Sequence, residues 1–493
     1  MKNLKFLLLS FIFIFNSSCF DDDLDDNIAS SREVNDFIWK GMNLFYLYKD
    51  DVPDLADDRF SNNTEYGEFL DSFDSPQSLF GSLITTEITT SNKPVDPFSV
   101  IVSDFIALEE FFSGVTTRSG IEVNFYTNPF DAASEIAVVR LVLPNSEASA
   151  TSIKRGDIIT AIDGVTLTES NRSQLFSPQS YTATIASYDD NGTPELTDDS
   201  LVESGETITL NKQPYTENPV FITDVLEVDG ESIGYLMYNG FTREFDSQLN
   251  QAFGQLAGVD HLVLDLRYNP GGSVNTSILL ASLITGQNTD QVFVTEEWNS
   301  GFQQAFEENN PEALINRFVD NDDGTPLNSL NLDEVYILTT GDSASASELV
   351  ISGLMPYITV KQVGTSTSGK FQASVTLYDS DDFGRQGANP AHTYAMQPLI
   401  FRSVNANGLT DYFDGFPLNA NDPNFINLAE DFRDYGILGD ENEPLLAAAI
   451  DDITGASRGP ITENNTVPPK ATSNDFIPNV DIMYTDKKLP ANY

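Results

Sequence analysis

Between about residues 220 and 455, short apolar runs of strand type alternate with helical stretches, and this order restricts the fold more than any other feature of the chain. The candidate strands are Gly234 to Tyr238, His261 to Leu266, Val292 to Thr295, Val335 to Thr339 and Ile358 to Val363. Between them lie helical stretches, such as that marked by Phe245, Leu249, Phe253 and Leu256, or Ile278 to Ile284. Such alternation predicts an α/β domain over 220–455. Ahead of it the pattern differs twice. Val34, Phe37, Ile38, Met42 and Phe45 recur at helical spacing, and Phe69, Phe73, Phe80 and Leu83 mark further apolar faces, which predicts a small helical region over 31–112. Residues 113–219 read instead as short strands broken by Gly, Asn and Asp clusters, including Ile121-Glu122-Val123 and Ala137 to Val142. The tail, 456–493, carries Pro460, Pro468, Pro469, Pro478 and Pro490 and reads as a linker or a loosely docked strap.

At 493 residues the chain has room for roughly three domains, and 40 % apolar with 11 % aromatic residues is enough to fill real cores. Its 25 Lys and Arg stand against 75 Asp and Glu, a net charge of −50. Nucleic-acid binding does not fit this balance. Phosphate contacts need clustered cations, and the longest basic clusters are pairs such as Lys154-Arg155 and Lys487-Lys488. Acidity of this degree favours solubility and repels anionic surfaces.

Cys19 is the only cysteine, which excludes internal disulfides, thiol catalysis in the mature body and cysteine-ligated metal sites. Lys2 and Lys5 precede an apolar run, Phe6 to Phe15, too short to span a bilayer, and Asn16-Ser17-Ser18-Cys19 follows. This resembles a bacterial lipoprotein signal, which implies a signal peptide over 1–18 and lipidation of Cys19 as the new N-terminus. An ordinary secretory signal is the other reading. The acidic linker to residue 30, with Phe20-Asp21-Asp22-Asp23-Leu24-Asp25-Asp26, is similar to the tag that sends Bacteroidetes-type lipoproteins to the cell surface. The expected location is the cell envelope, anchored to the outer membrane through lipid alone and facing the periplasm or the exterior.

Within 113–219, the stretch Ala148 to Gly164 places a turn, the strand Asp157-Ile158-Ile159-Thr160-Ala161-Ile162 and an Asp163-Gly164 hairpin signal in succession. With Arg155-Gly156-Asp157 before it, this resembles the later half of a PDZ domain. The resemblance implies an exposed sheet edge near Ser119-Gly120-Ile121-Glu122, where a peptide C-terminus adds as an extra strand, so Gly120 and Ile121 are the candidate peptide-binding residues. Residues 171–206 are long and acidic for the hairpin they would form.

The chemistry-bearing segment is Ser343-Ala344-Ser345-Ala346-Ser347-Glu348, which follows the strand ending near Thr340 and opens a helix. Ser345 and Glu348 have the spacing of a capping box, so a purely structural serine is one reading. The other is a nucleophile, since a serine at a helix N-terminus sits beside unpaired N–H groups able to hold an oxyanion. A nucleophile needs a base. His261 begins an apolar strand and His392 lies in a Pro-flanked loop, and neither has a triad pattern. Lys370 remains, after Thr365 to Gly369 and ahead of an alternating run, Phe371 to Tyr378; no acidic residue lies between Tyr357 and Tyr378. A lysine serves as a base only where it is uncharged.

Together, Ser-Ala-Ser-Ala-Ser-Glu and the Gly369-Lys370 pair that follows are similar to the signature of the C-terminal processing, or tail-specific, serine proteases. That resemblance covers 31 to 455 and implies a crotonase-like α/β peptidase core with a PDZ-like domain ahead of it. It makes Ser345 the nucleophile and Lys370 the base of a Ser-Lys dyad. Leu264-Asp265-Leu266-Arg267-Tyr268-Asn269-Pro270-Gly271-Gly272 is similar to the family's strand-end loop, so Gly271 and Gly272, with the amide of Ala346, form the implied oxyanion hole. Many members carry a Gln four residues after the lysine, where this chain has Ser374; Gln372 or Ser374 is the candidate to orient Lys370, and strand alternation puts both on its face, so the pattern does not choose between them.

The expected function is a serine endopeptidase acting on proteins or peptides with exposed C-termini, with no metal and no organic cofactor. A noncatalytic peptide-binding lipoprotein that keeps the fold is the alternative. Asp320 to Gly324 and Asp189 to Gly192 resemble calcium loops in composition only and read as turns.

Overall fold

The computed structural model describes residues 29–193, 198–456, 468–477, 480, 482–485 and 487. The signal segment, Cys19 and most of the acidic linker lie outside the described residues.

A six-stranded sheet organises the 220–455 region, in the order Val220–Val228, Glu231–Tyr238, His261–Asp265, Glu334–Thr339, Thr359–Gly364 and Phe425–Asn427. The first two strands form an antiparallel hairpin, turned at Asp229 and Gly230, both with positive φ, as a two-residue hairpin turn requires. All later neighbours are parallel, with Ile233 opposite His261, Val263 opposite Tyr336 and Glu334 opposite Thr359. Alternate residues feed two different cores. Leu236, Leu262, Leu264, Val335 and Ile337 pack with helices Val274–Ile284 and Ala346–Leu354, whereas Tyr235, Met237, Val263, Tyr336 and Leu338 pack on helix Pro444–Thr454. Covering both faces is what a parallel sheet demands. The expected α/β domain is present. Val292 to Thr295, however, belongs elsewhere. It lies in Val292–Trp298 of a separate antiparallel sheet, ordered Ile315–Arg317, Val292–Trp298, Leu399–Asn405 and Gln372–Ser374. Period-two apolarity marks a strand but not the sheet it joins.

In the N-terminal region, Val34, Phe37, Ile38, Met42 and Phe45 are buried along helix Ser31–Phe45, which Ser30 opens with a capping box to Glu33. This region is not a separate body. Its apolar face shares one core with the α/β layer, Phe45 stacks on Phe302 at 5.2 Å, and Asn299 Nδ2 donates to the carbonyls of Leu44 and Tyr46.

Residues 113–219 form a β-rich module ordered Ile121–Thr127, Glu135–Val142, Ile158–Ile162, Ser180–Asp189 and Ser200–Asn211. Asp163 and Gly164 turn a hairpin with φ of +50° and +74°. The long acidic stretch becomes the two longest strands of the module. Val115–Arg118 pairs with Gln213–Thr216 and brings its ends together.

The described part of the tail is docked rather than loose. Ala471–Thr472 joins the module's sheet beside Ile121–Thr127, and Ile482, Met483, Tyr484 and Thr485 are buried. Among the described residues, no helix is long and apolar enough to cross a membrane.

Candidate active site

The central parallel strand Glu334–Thr339 runs into a short loop and then into helix Ala346–Leu354. Ser345 stands at the junction with φ of +64° and ψ of −116°, a conformation that costs a non-glycine residue on the order of 1–3 kcal/mol and persists only where its surroundings impose it. Its side chain is fully buried, and Oγ makes no hydrogen bond. The reciprocal approach of a capping box is present, but only one of its two contacts is a well-formed hydrogen bond. Glu348 accepts from Ser345 N at 2.8 Å, while the serine hydroxyl is left over. A buried hydroxyl without a partner is costly to keep.

The loop after His261–Asp265 packs directly on this serine. A Cβ added to Gly271 would lie 2.5 Å from Ser345 Cβ and 2.6 Å from its Oγ, and one added to Gly272 would lie 2.4 Å from Phe241 O. With φ of +108° and +135°, both positions admit glycine alone. Asn269, which sequence reasoning passed over, clamps the two loops together. Its carbonyl accepts from Ala344 N and Ser347 Oγ, and its Nδ2 donates to Tyr238 O. Its Oδ1 accepts from Gly271 N at 2.9 Å. The Gly271 amide, expected to point at an oxyanion, is therefore engaged in this arrangement. The Ala346 amide is the first of its helix and has no acceptor within it.

Lys370 is 1 % exposed. Its Nζ lies over the Phe98 ring, 4.4 Å from the centroid. Ser368 N donates to Ser343 O, joining the lysine loop to the serine loop. The main link is Glu348, also fully buried. Oε2 accepts from the amides of both Ser345 and Lys370, and Oε1 accepts from Gly369 N and Thr367 Oγ1. Burial pushes its carboxyl up to about 7 against these donors, which favour the charged form. Ala344, Ser368 and Lys370 border one cavity of about 350 Å³.

Gln372 makes no hydrogen bond to the lysine amine. Its Nε2 donates to Tyr48 Oη and Val95 O, and its Oε1 has no hydrogen bond. Ser374 Oγ lies 2.6 Å from Gln397 Oε1 and 3.0 Å from Met483 O, its single hydrogen shared between the two acceptors. A register shift between Ala373 and Ser374 interrupts the expected alternation, and the two side chains go to different partners, Gln372 to the N-terminal region and Ser374 to the tail and Gln397, which no local pattern reveals. His392 accepts at Nδ1 from Tyr394 N and bonds Asp379 through Nε2, and His261 Nε2 lies 3.4 Å from Glu231 Oε2. Gly120 has φ of +96°, and a Cβ there would meet Ser146 Oγ at 2.0 Å; Ile121 pairs with Val142. The strand they open does receive an added chain, but at Asn124 and Phe125 rather than at its start. Among the described residues, no group of three or more His, Cys, Asp or Glu is placed to hold a metal ion. Asp323 and Gly324 turn a two-stranded hairpin.

A charged network connects the module to both loops. Arg140, 1 % exposed, pairs with Asp342, three residues before Ser345, and with Glu122 at 3.2 Å, and lies over the Tyr268 ring. Arg155 donates to Tyr268 Oη and Glu430, and Arg267 to Asp265, Glu430 and Glu443. Paired in this way, Glu430 is held down to about 2 despite burial.

Residues 232–384 match the family described as Peptidase family S41, and residues 33–100 match the Peptidase S41 N-terminal domain. The chain therefore carries the domains of peptidase family S41. A carboxyl-terminal-processing protease of Picosynechococcus sp. is 28 % identical over 73 % of this chain and 76 % of its own length. One of Synechocystis sp. is 28 % identical over 51 % of this chain and 53 % of its own. Among solved structures, a candidate S41 protease from Bacteroides fragilis superposes with a TM-score of 0.64 over 85 % of this chain and 97 % of that one, at 24 % identity, a likeness of fold.

Proposed function

We propose that this chain is a serine endopeptidase of the C-terminal processing type, with Ser345 as nucleophile and Lys370 as base. In this reading Ser345 Oγ attacks the scissile carbonyl and passes its proton to the uncharged Lys370 amine. Lys370 returns that proton to the leaving amine as the peptide bond breaks, and water then hydrolyses the ester. The Ala346 amide and the Gly271-Gly272 loop receive the oxyanion, Gly271 N–H exchanging Asn269 Oδ1 for it. The module over 113–219 acts as a PDZ-like recognition domain for peptide ends and 220–455 as a crotonase-like core. The protein is carried at the cell envelope by lipid on Cys19, and its substrates are proteins with exposed C-termini.

One observation carries this reading. Ser345 is strained, buried and without a hydrogen bond at Oγ, at a helix N-terminus against a glycine that no other residue can replace. A capping serine needs none of this. The rival, a noncatalytic peptide-binding lipoprotein, draws support from the Gly271 amide being bonded to Asn269. Labelling with a serine-directed fluorophosphonate, beside hydrolysis of an unfolded protein, separates the two. Wild type should label and hydrolyse, and Ser345→Ala and Lys370→Ala should do neither. Equal labelling of wild type and Ser345→Ala would remove Ser345 from the reaction.

A further inference from the structure

Two stretches of the tail sit where an extended polypeptide would be held. The first adds to the module. Ala471 and Thr472 pair antiparallel with Phe125 and Asn124, Lys470 N donates to Phe125 O, and Val123 N donates to Ser473 Oγ at 3.0 Å. The second lies between the two loops of the candidate active site. Tyr484 N donates to Gly272 O and Val274 N to Tyr484 O on one side; Ser374 N donates to Met483 O and Thr485 N to Ser374 O on the other. Both pairings are parallel.

The walls of this second slot continue the catalytic segments. Gly272 follows the glycine that touches Ser345, and Ser374 lies four residues after Lys370. The tail residues Asn474 and Ile482 also border both cavities beside these loops, the one reaching Gly271 and Gly272 and the one reaching Ala344 and Lys370. Such a slot has to be filled. Left empty, it would strand buried carbonyl and amide groups of Gly272, Val274 and Ser374, each costly without a partner. The same four main-chain bonds read no side chain, so any extended chain satisfies them equally well.

We propose that the slot between residues 272–274 and Ser374 is the binding groove for the extended backbone of a polypeptide substrate, and that residues 483–485 occupy it as a resident pseudo-substrate. This rests on the proteolytic reading for the nature of the displacing ligand. Exchange of one extended chain for another conserves hydrogen bonds, so displacement is isoenergetic in that respect. The tail, being tethered, competes at high effective concentration. A substrate that also takes the module's edge from residues 470–473 removes both main-chain pairings of the tail, leaving side-chain contacts such as Lys487 with Glu296, which favours long, unfolded chains over short peptides.

The test uses the full chain carrying Ser345→Ala and a permanently unfolded, carboxymethylated polypeptide as probe. Thr485→Pro removes the donor to Ser374 O and should tighten probe binding about tenfold or more. Tyr484→Ala, which keeps the main-chain bonds but loses the ring contact with Phe112 at 4.2 Å, should tighten it less. Hydrogen exchange without Thr485→Pro should show the Tyr484 and Thr485 amides losing protection as the probe saturates. Equal probe affinity in folded forms of all three chains overturns the proposal, as does undiminished protection of those amides with the probe bound. Restoring Ser345 distinguishes the two ideas. Tighter binding with no hydrolysis keeps the groove and removes the catalytic assignment, whereas hydrolysis that Thr485→Pro leaves unchanged, with unchanged affinity, removes the groove alone.

Discussion

Ser345 and Lys370, 25 residues apart in the chain, hang their main-chain amides on the same oxygen of Glu348, each at 2.8 Å. The two amides therefore lie within two hydrogen-bond lengths of one another. A single buried carboxylate sets the spacing of the helix that bears the serine and the strand that follows the lysine, and it does so by gripping their main-chain amides rather than the reactive side chains.

Glu348→Gln keeps the shape but offers one acceptor and brings an N–H₂ among four donors. Hydrolysis should fall about a hundredfold through misplacement of the reacting groups, with the folded state retained, as a kcat measurement beside a melting curve would check.

The wild-type pH profile should lose activity as pH drops through about 7, where Glu348 takes a proton and can no longer accept all four bonds. Stability responds in the opposite sense. A folded pKa above the ordinary 4.5 means that the folded state binds the extra proton, so the contribution of Glu348 to stability declines as pH rises from about 4.5 to about 7. In Glu348→Gln the part of each trend that Glu348 supplies should vanish. An unchanged acid limb in that variant would assign the limb to another group.

Gly271→Ala places a methyl group against Ser345 Cβ and Oγ at a φ of +108°. Strain and overpacking together should cost roughly 2–4 kcal/mol, read by urea denaturation, and fluorophosphonate labelling should be lost. A variant that labels normally would show that the loop can retreat.

Arg140→Ala leaves Glu122 and Asp342 without their shared cation. Removing one partner of a buried pair costs about 3 kcal/mol. The loss should appear as a lower urea midpoint together with slower hydrolysis, since Asp342 belongs to the loop that holds Ser345.

Glu430, held down to about 2 by Arg155 and Arg267, stabilises the fold fully above the ordinary 4.5 and loses that contribution as pH falls through about 2. The amount is on the order of 3 kcal/mol. Glu430→Gln should be less stable at neutral pH and show a shallower acid unfolding curve.

Much of the fold was legible because burial writes a period into the chain. The helix Ser31–Phe45 and the parallel strands around His261–Asp265 and Glu334–Thr339 each show it, and the Asp163-Gly164 turn declares itself by residue type. Errors arose where a period says nothing about partners. Val292–Trp298 joined another sheet, and the N-terminal helices merged with the α/β core. At the site, the spacing of Ser345, Glu348, Lys370 and the paired glycines drew attention to segments that the fold brings together, but Asn269, Arg140 and Asp342 carried no local signal. Arg155, read as part of the PDZ-like run Arg155-Gly156-Asp157, bridges to Tyr268 and Glu430.

What the amino-acid sequence determined by itself is therefore local: which segments are strands and helices, where glycine is obligatory, and which serine and lysine stand at element ends. Those features depend on neighbours a few residues away. Tertiary structure alone decided that Glu348 joins the two candidate catalytic residues, that Gln372 turns to Tyr48, and that residues 483–485 fill the slot beside them. Apart from the three-residue contact of Glu348 with Ser345, each of those contacts is made across tens to hundreds of residues by backbone and buried polar groups, whose choice of partner is settled only when the chain closes and leaves them nowhere else to bond.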